Sequence, residues 1–265
     1  MTTIVLIPAR HAASRYPGKP LAALHGATGE ARSLIRRSWE RAAAVPGVDT
    51  VYVATDSAEI ADHCRAAGAG VVMTDPACAN GTERCAEALA QLSASPDVVV
   101  NFQGDAPLTP PHVVTAALQA LTHDPDASVA TPVVPCGPAM LDALRETRAQ
   151  GRVGETTAVL SATGRALYFS KEILPVQRGD RAMPATPIRQ HLGIYAYRPN
   201  ALSAYPGWGQ GPLEAHEGLE QLRFLENDRV VRCCEVDVHG MPMHELNNPE
   251  DAPRIEAVLA EQGIV

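Results

Sequence analysis

The sequence predicts an α/β fold built on a mostly parallel, doubly wound sheet. Three observations predict it. Short, largely apolar β-branched runs recur through the first hundred residues, at 4–7, 50–54, 70–73 and 97–102. Segments of helical periodicity lie between them, and this alternation makes parallel sheets rather than hairpins. Polar loops follow the strands, where open α/β sheets bind ligands.

Residues 4–7 (IVLI) carry no charge and suit a central strand buried on both faces, which Pro8 is expected to end. The loop that follows sets Arg10, Arg15 and Lys19 among Ala12, Ala13, Ser14, Pro17 and Gly18. Small residues let backbone approach phosphate and guanidinium groups grip oxygens in pairs, which is the make-up of a polyphosphate cradle. A solvated basic loop is the plainer reading, since neither the Walker pattern nor GxGxxG is present, and the loop alone leaves both open.

A helix is expected over residues 31–44, with Leu34, Ile35 and Trp39 inward and Arg36, Arg37, Glu40 and Arg41 outward. Residues 50–54 form the next strand and Asp56 its cap. Ser57 caps a helix to about residue 67, and residues 70–73 are a third strand. Residues 80–84 read as a turn feeding a helix to about residue 92. The strand 97–102 (DVVVNF) runs into Gln103, Gly104 and Asp105, an acidic residue just past a buried strand.

From residue 128 the alternation weakens. Strands are expected over 129–134, 158–160, 166–170, 190–197 and 230–238, with a Pro-, Arg- and Gly-rich loop over 175–187 and a helix over 213–225. On that helix Glu214 and Glu217, three apart, read as a solvated face. Pro249 begins the last helix.

At 265 residues the chain suits one α/β domain with an insertion. A net charge of -8 and a pI near 5.6 argue against nucleic acid or an anionic membrane as partner, so any phosphate site must be local. The first apolar run is too short for a signal or an anchor, and no segment is long enough to span a bilayer. A cytoplasmic chain is expected. Six cysteines without CxxC spacing predict reduced thiols, with Cys233 and Cys234 on opposite strand faces. His63, His112 and His123 read as surface residues. His239, His244 and Glu245 have a spacing open to a transition metal, a loop being the plainer reading.

A nucleotide needs donors for its phosphates, a carboxylate for its metal and a polar pocket for its base. Arg10, Arg15 and Lys19, then Asp105, then Asn80, Thr82 and Arg84 are residues of the right types for these tasks, all in the first 110 positions.

IPARHAASRYPGKPL, NGTERCAE, VVNFQGDAPL, ALYFSK, RQHLGIYAYR and PLEAHEGLEQLR closely resemble the 3-deoxy-manno-octulosonate cytidylyltransferases, over nearly the whole chain and in order. That resemblance implies the nucleotide-diphospho-sugar transferase fold in a single domain, 1–265. Residues 1–128 would hold the nucleotide, about 129–240 the acceptor and a homodimer contact, and 241–265 the last helix. It implies transfer of CMP from CTP to a small acidic sugar, with Mg²⁺ and release of pyrophosphate. By resemblance Lys19 and Asp105 are catalytic, Asp105 being the metal-binding aspartate. Pro8, Ala9, Arg10, Arg15, Lys19, Asn80, Gly81, Thr82 and Arg84 line the nucleotide, while Gln103, His191, Tyr195, Glu220 and Gln221 surround the acceptor.

The chain departs from that family's pattern in places. GVDTPEDL reads ELNNPEDA, so Asn247 takes the place of a metal-binding aspartate, for which Glu245 or Asp237 would have to substitute. QGDEP reads QGDAP, with Ala106 for a carboxylate. Gly154, Thr157 and Gln190 replace an asparagine, a lysine and an arginine. Lost cations around an anionic acceptor shift its identity, so a phosphonate is an alternative acceptor and a catalytically weakened nucleotide-binding paralogue an alternative role.

Overall fold

In the computed structural model, which describes residues 1–11, 16–151, 155–176, 187–241 and 243–265, the first strand divides the core in two. Alternate residues of β1 (Thr3–Ala9) face opposite ways: Ile4 and Leu6 enter one apolar cluster, Val5 and Ile7 the other. Pro8 does not end the strand. Pairing with one neighbour stops at Leu6 but continues on the other side to Ala9, so proline falls where one edge is already unpaired.

The ribbon β2 (Ala23–His25) and β3 (Ala31–Ser33) comes next, then α1 (Leu34–Ala43), capped by Ser33. The helix predicted from residue 31 therefore begins three residues later. Arg37, expected outward, is buried, because its guanidinium donates to the main-chain oxygens of Leu24, Glu30 and Val265 and so ties the ribbon to Val265.

β4 (Thr50–Thr55), α2 (Ala58–Ala66), β5 (Gly70–Met73), α3 (Gly81–Gln91) and β6 (Val98–Phe102) complete the parallel half, in spatial order β5-β4-β1-β6. Asn80 is the cap of α3, so the expected turn at 80–84 is the first turn of the helix itself.

α4 (Pro111–His123), β7 (Ala127–Pro135), α5 (Pro138–Ala149), β8 (Thr157–Leu160) and β9 (Ala166–Ser170) follow. The strand predicted over 190–197 is two, β10 (Arg189–His191) and β11 (Ile194–Tyr197). A tight turn separates them, in which the Ile194 N–H donates to Leu192 O at 2.7 Å. The break lets the chain pair with β8 on one side and β6 on the other, β7 being shared.

After α6 (Pro199–Trp208), the helix predicted over 213–225 is α7 (Pro212–Glu217) and α8 (Leu222–Glu226), interrupted at Gly218, whose φ of 63° is left-handed. β12 (Val230–Glu235) adds to β7 in parallel, with Cys233 and Cys234 on opposite faces, and α9 (Ala252–Glu261) closes the chain.

The sheet continues through β11, β7, β10, β8 and β9 as one ten-stranded structure. Helices α3, α6 and α8 cover one face, α1, α2 and α4 the other. α9 packs Ile255, Val258 and Leu259 on Leu24, Leu34, Leu108 and Leu246, which carries residues 245–247 back to the carboxyl end of β6. Among the described residues no helix is long and apolar enough to cross a membrane.

Candidate active site

The carboxyl ends of β1 and β6 meet at Gly104. A Cβ there would lie 3.0 Å from Pro8 O, so only glycine lets the two ends approach this closely. Ser38 of α1 donates to Gly104 O at 2.9 Å, and the Leu246 N–H donates to Asp105 O at 3.0 Å. These bonds fix the QGDA turn from both sides and aim the Asp105 carboxylate inward. Lys19, on a 3-10 turn entered through Gly18 at φ 70°, reaches it at 2.6 Å.

Above this pair opens a cavity of about 350 Å³. Pro8, Ala9, Arg10 and Lys19 line one wall, Asn80, Gly81 and Arg84 a second, and Gln103, Asp105 and Asn247 the floor. The loop, the α3 cap and the QGDA turn, far apart in sequence, thus share one cavity. Arg15 lies outside the described residues.

The charges in this cavity are unequally available. Among the described residues Arg10 is exposed and has no ion-pair partner. The Lys19 ammonium is held by Asp105. Arg84 is buried, bonded to Thr74 Oγ1 and at 2.9 Å to Asp56, so the strand-end aspartate orients a cavity cation. Asn80 accepts from the Glu83 N–H at 2.8 Å and donates to Tyr205 Oη at 3.1 Å, which spends its amide on capping α3. Thr82 points away from the cavity into the core, its Oγ1 2.9 Å from Tyr197 Oη.

A cleft lined by Ala106, Leu192, Gly193, His244 and Glu245 adjoins the cavity, Gln103 lining both. Glu245 keeps an exposed edge, yet crowding by surrounding protein, and after it the Asp105 charge, pushes its carboxyl up to about 7. The Asn247 amide sits 3.5 Å from Glu245 Oε2. Asp237, the other sequence candidate here, is exposed and bonded to the His239 N–H.

The residues that resemble acceptor ligands are mostly withdrawn. His191 is buried, 2.8 Å from Thr131 Oγ1 and packed between the Phe169 and Tyr195 rings; burial pushes its pKa down to about 3, so it is neutral. Tyr195 donates to Gln221 Oε1 at 3.2 Å, and both are buried. Glu220 Oε2 accepts the Thr82 N–H at 2.9 Å, next to the cavity wall at Gly81. Thr157, in the place of a lysine, is fully buried and donates to Glu172 O at 2.6 Å; Gly154 lies outside the described residues.

Sequence reasoning missed the support behind the α3 cap. Glu214, expected on a solvated face, is 3% exposed and pairs with Arg223 at 2.6 Å, while Arg223 also reaches Glu83 at 2.9 Å. Glu217, also read as solvated, accepts from Ser170 Oγ and the Lys171 N–H. The break at Gly218 rotates the faces that a continuous helix would have shown. Asn101 was missed too, although a lone amide inside VVVNF was a visible signal.

The family model described as Cytidylyltransferase matches residues 4–232. The chain is 41% identical over 263 residues to the 3-deoxy-manno-octulosonate cytidylyltransferase of Maricaulis maris, covering 99% of both. It is 38% identical to the mitochondrial one of Arabidopsis thaliana, over 98% of this chain and 83% of that relative. A solved structure of CMP:2-keto-3-deoxy-manno-octonic acid synthetase complexed with CTP superposes with a TM-score of 0.84 at 30% identity, covering 99% of this chain and 100% of that one. A 4-diphosphocytidyl-2C-methyl-D-erythritol synthase from Anaerococcus prevotii, 13% identical with a TM-score of 0.60, shares the fold.

Proposed function

This chain belongs to the cytidylyltransferase family, and on that premise we propose that it transfers CMP from CTP to 3-deoxy-manno-octulosonate or a related ulosonic acid. The acceptor's anomeric hydroxyl attacks the α-phosphorus in line, the bond to the β-phosphate oxygen breaks, and pyrophosphate leaves while the hydroxyl proton passes to solvent. The observation that carries this reading is the Lys19–Asp105 pair at 2.6 Å on the floor of a cavity that Arg10 overlooks.

Arg10, Lys19 and, from the loop outside the described residues, Arg15 bind the triphosphate. Pro8, Ala9, Asn80, Gly81, Thr82 and Arg84 shape the rest of the nucleotide site, Asn80 and Thr82 by holding the start of α3. Gln103, between cavity and cleft, faces the acceptor, with Glu220, Gln221, Tyr195 and His191 as the body of its site. Lys19 holds Asp105 in place and offsets negative charge on the α-phosphate, so catalysis is mainly positioning and electrostatics.

The oxygen donors of Asp105, Glu245 and Asn247 are the hard type that suits Mg²⁺, so Asp105 with Glu245 or Asn247 would hold it. When bound, Mg²⁺ supplies charge neutralisation at the reacting phosphates. Residues 1–128 would serve the nucleotide and about 129–240 the acceptor. A homodimer fits Leu167, 62% exposed on the strand β9 at one end of the sheet.

Pyrophosphate release from CTP with Mg²⁺ and a panel of ulosonic acids, with Asp105→Ala as control, tests the reading. Release that vanishes in the variant is expected. The uncharged Thr157 and Gln190 favour a second reading, another anionic acceptor: silence with every sugar acid but release with a small phosphonate would select it. CTP binding without release on any acceptor would select the weakened paralogue.

A further inference from the structure

Asn101 is fully buried at the end of β6, and neither its Oδ1 nor its Nδ2 has a hydrogen-bond partner among the described residues. A buried amide with nothing bonded keeps its whole desolvation penalty, which folding alone does not return. A second such atom is close in the fold. Tyr195, the cross-strand partner of Asn101, donates to Gln221 Oε1 at 3.2 Å, and Gln221 Nε2 is likewise without a partner among the described residues.

Gly81 shows what this amide faces. A Cβ added there would lie 3.7 Å from Asn101 Nδ2, 3.7 Å from Glu220 Oε1 and 3.3 Å from Pro8 Cγ. Its absence leaves a notch behind the stretch of cavity wall that Pro8 and Gly81 form, with Asn101 and Glu220 at its back and not themselves lining the cavity. One rim of the notch donates, through Asn101 Nδ2. The other accepts, through Glu220 Oε1, since Oε2 already takes the Thr82 N–H. A hydroxyl satisfies both at once, whereas a phosphate or carboxylate would be repelled by Glu220.

We infer that Asn101 is a specificity-determining residue for the acceptor, its carboxamide and Glu220 Oε1 taking a hydroxyl of a polyhydroxylated acid across the Gly81 notch. This rests on the ulosonic-acid reading above. The nucleotide's phosphates belong with the cations Arg10 and Lys19, which leaves the acceptor and the CTP ribose as sources of the hydroxyl. Glu220 at the notch, and Tyr195 and Gln221 packed beside Asn101, are residues of the acceptor site proposed above and favour the acceptor.

The test compares wild type with Asn101→Leu, which keeps the branching of the side chain and removes both polar atoms, and Asn101→Asp, which keeps the shape and replaces the Nδ2 donor by a carboxyl oxygen facing Glu220. Three quantities are measured: kcat/KM for the ulosonic acid at saturating CTP, CTP affinity by calorimetry without acceptor, and the thermal midpoint. The expected result for Asn101→Leu is an acceptor kcat/KM at least tenfold lower, a CTP Kd within twofold of wild type and an undiminished midpoint. Should that variant not fold, Asn101→Asp is expected to show the same split between acceptor and CTP.

Unchanged acceptor kinetics in a folded variant would overturn the inference, as would a lowered midpoint with normal kinetics, which makes Asn101 structural. A loss of CTP affinity matching the loss of activity would overturn it in favour of the nucleotide's ribose. Wild-type silence with every ulosonic acid overturns the underlying reading itself, an outcome distinct from active wild type with equally active variants.

Discussion

The two sides of the site are built differently. On the side proposed for the nucleotide, loops at the ends of parallel strands line an open cavity, with Arg10 exposed and the Asp105 carboxylate reached, among the described residues, by Lys19 at its floor. On the side proposed for the acceptor, His191, Tyr195 and Gln221 come from distant segments and are buried, as is Glu214 behind the α3 cap next to them. Tyr195 bonds Gln221 and packs on the His191 ring, and Glu214 pairs with Arg223, before any ligand arrives. The open side presents charge to a charged ligand; the closed side presents shape and hydrogen bonds already made within the protein, and depends on the packing of the mixed half of the sheet.

The sharpest way to break this contrast is Asp105→Ala. Losing the carboxylate on the cavity floor is expected to lower kcat by roughly a thousandfold, the order seen when one preorganised electrostatic group is removed. The thermal midpoint should hold within a few degrees. A variant that stayed within tenfold of wild type in pyrophosphate release would remove Asp105 from the chemistry.

On the closed side the largest effect should be on stability. Arg223→Met strands the buried Glu214 carboxylate, which is 3% exposed. Breaking one partner of such a pair costs about 3–5 kcal/mol, and for a chain of this size the midpoint should fall by roughly 10 °C. Arg223→Met with Glu214→Leu should recover most of that loss, because no charge is left buried. Thermal melts of the single and double variants decide it; a double variant no better than the single one would mean that packing, rather than charge, carries the cost.

Asn80 sharpens the boundary between the two sides, since it lines the cavity but spends its side chain on the cap and on Tyr205. Asn80→Ala should cost about 1 kcal/mol and Asn80→Ser, itself a good cap, much less. CTP affinity should follow stability in both. A serine variant of normal stability with weakened CTP binding would show instead that the amide reads the nucleotide.

The same contrast explains what was legible in the sequence. The parallel half was read nearly strand by strand, because each strand there is a short apolar run and each site residue follows within a few positions. Arg10, Lys19 and Asp105 needed only that local logic. The acceptor half was misread where distant contacts decide the outcome. The tight turn at Leu192 splits one apolar run into two strands with different neighbours, and Gly218 turns Glu214 inward to an arginine nine residues on. Arg37 looked like a solvated cation because its partners are main-chain oxygens, those of Leu24, Glu30 and Val265, and main-chain partners leave no trace in composition.

His191 gives the smallest effect and the most direct probe of the closed side. In the folded chain burial holds its pKa near 3, while in the unfolded chain it sits near its ordinary 6.5. Above pH 6.5 both states are neutral and the contribution to stability is complete. As pH falls below 6.5 the unfolded chain takes up a proton that the native chain refuses, so stability is lost progressively down to about pH 3. Between pH 6.5 and 5.5 that loss should be about 1 kcal/mol, approaching ~1.4 kcal/mol per further pH unit. In His191→Gln, whose amide can still bond Thr131, denaturant titrations should show a stability curve flatter than wild type by that amount over the same interval. Equal slopes would mean that His191 is protonated in the native chain, and the acceptor side would then offer a cation to its ligand after all.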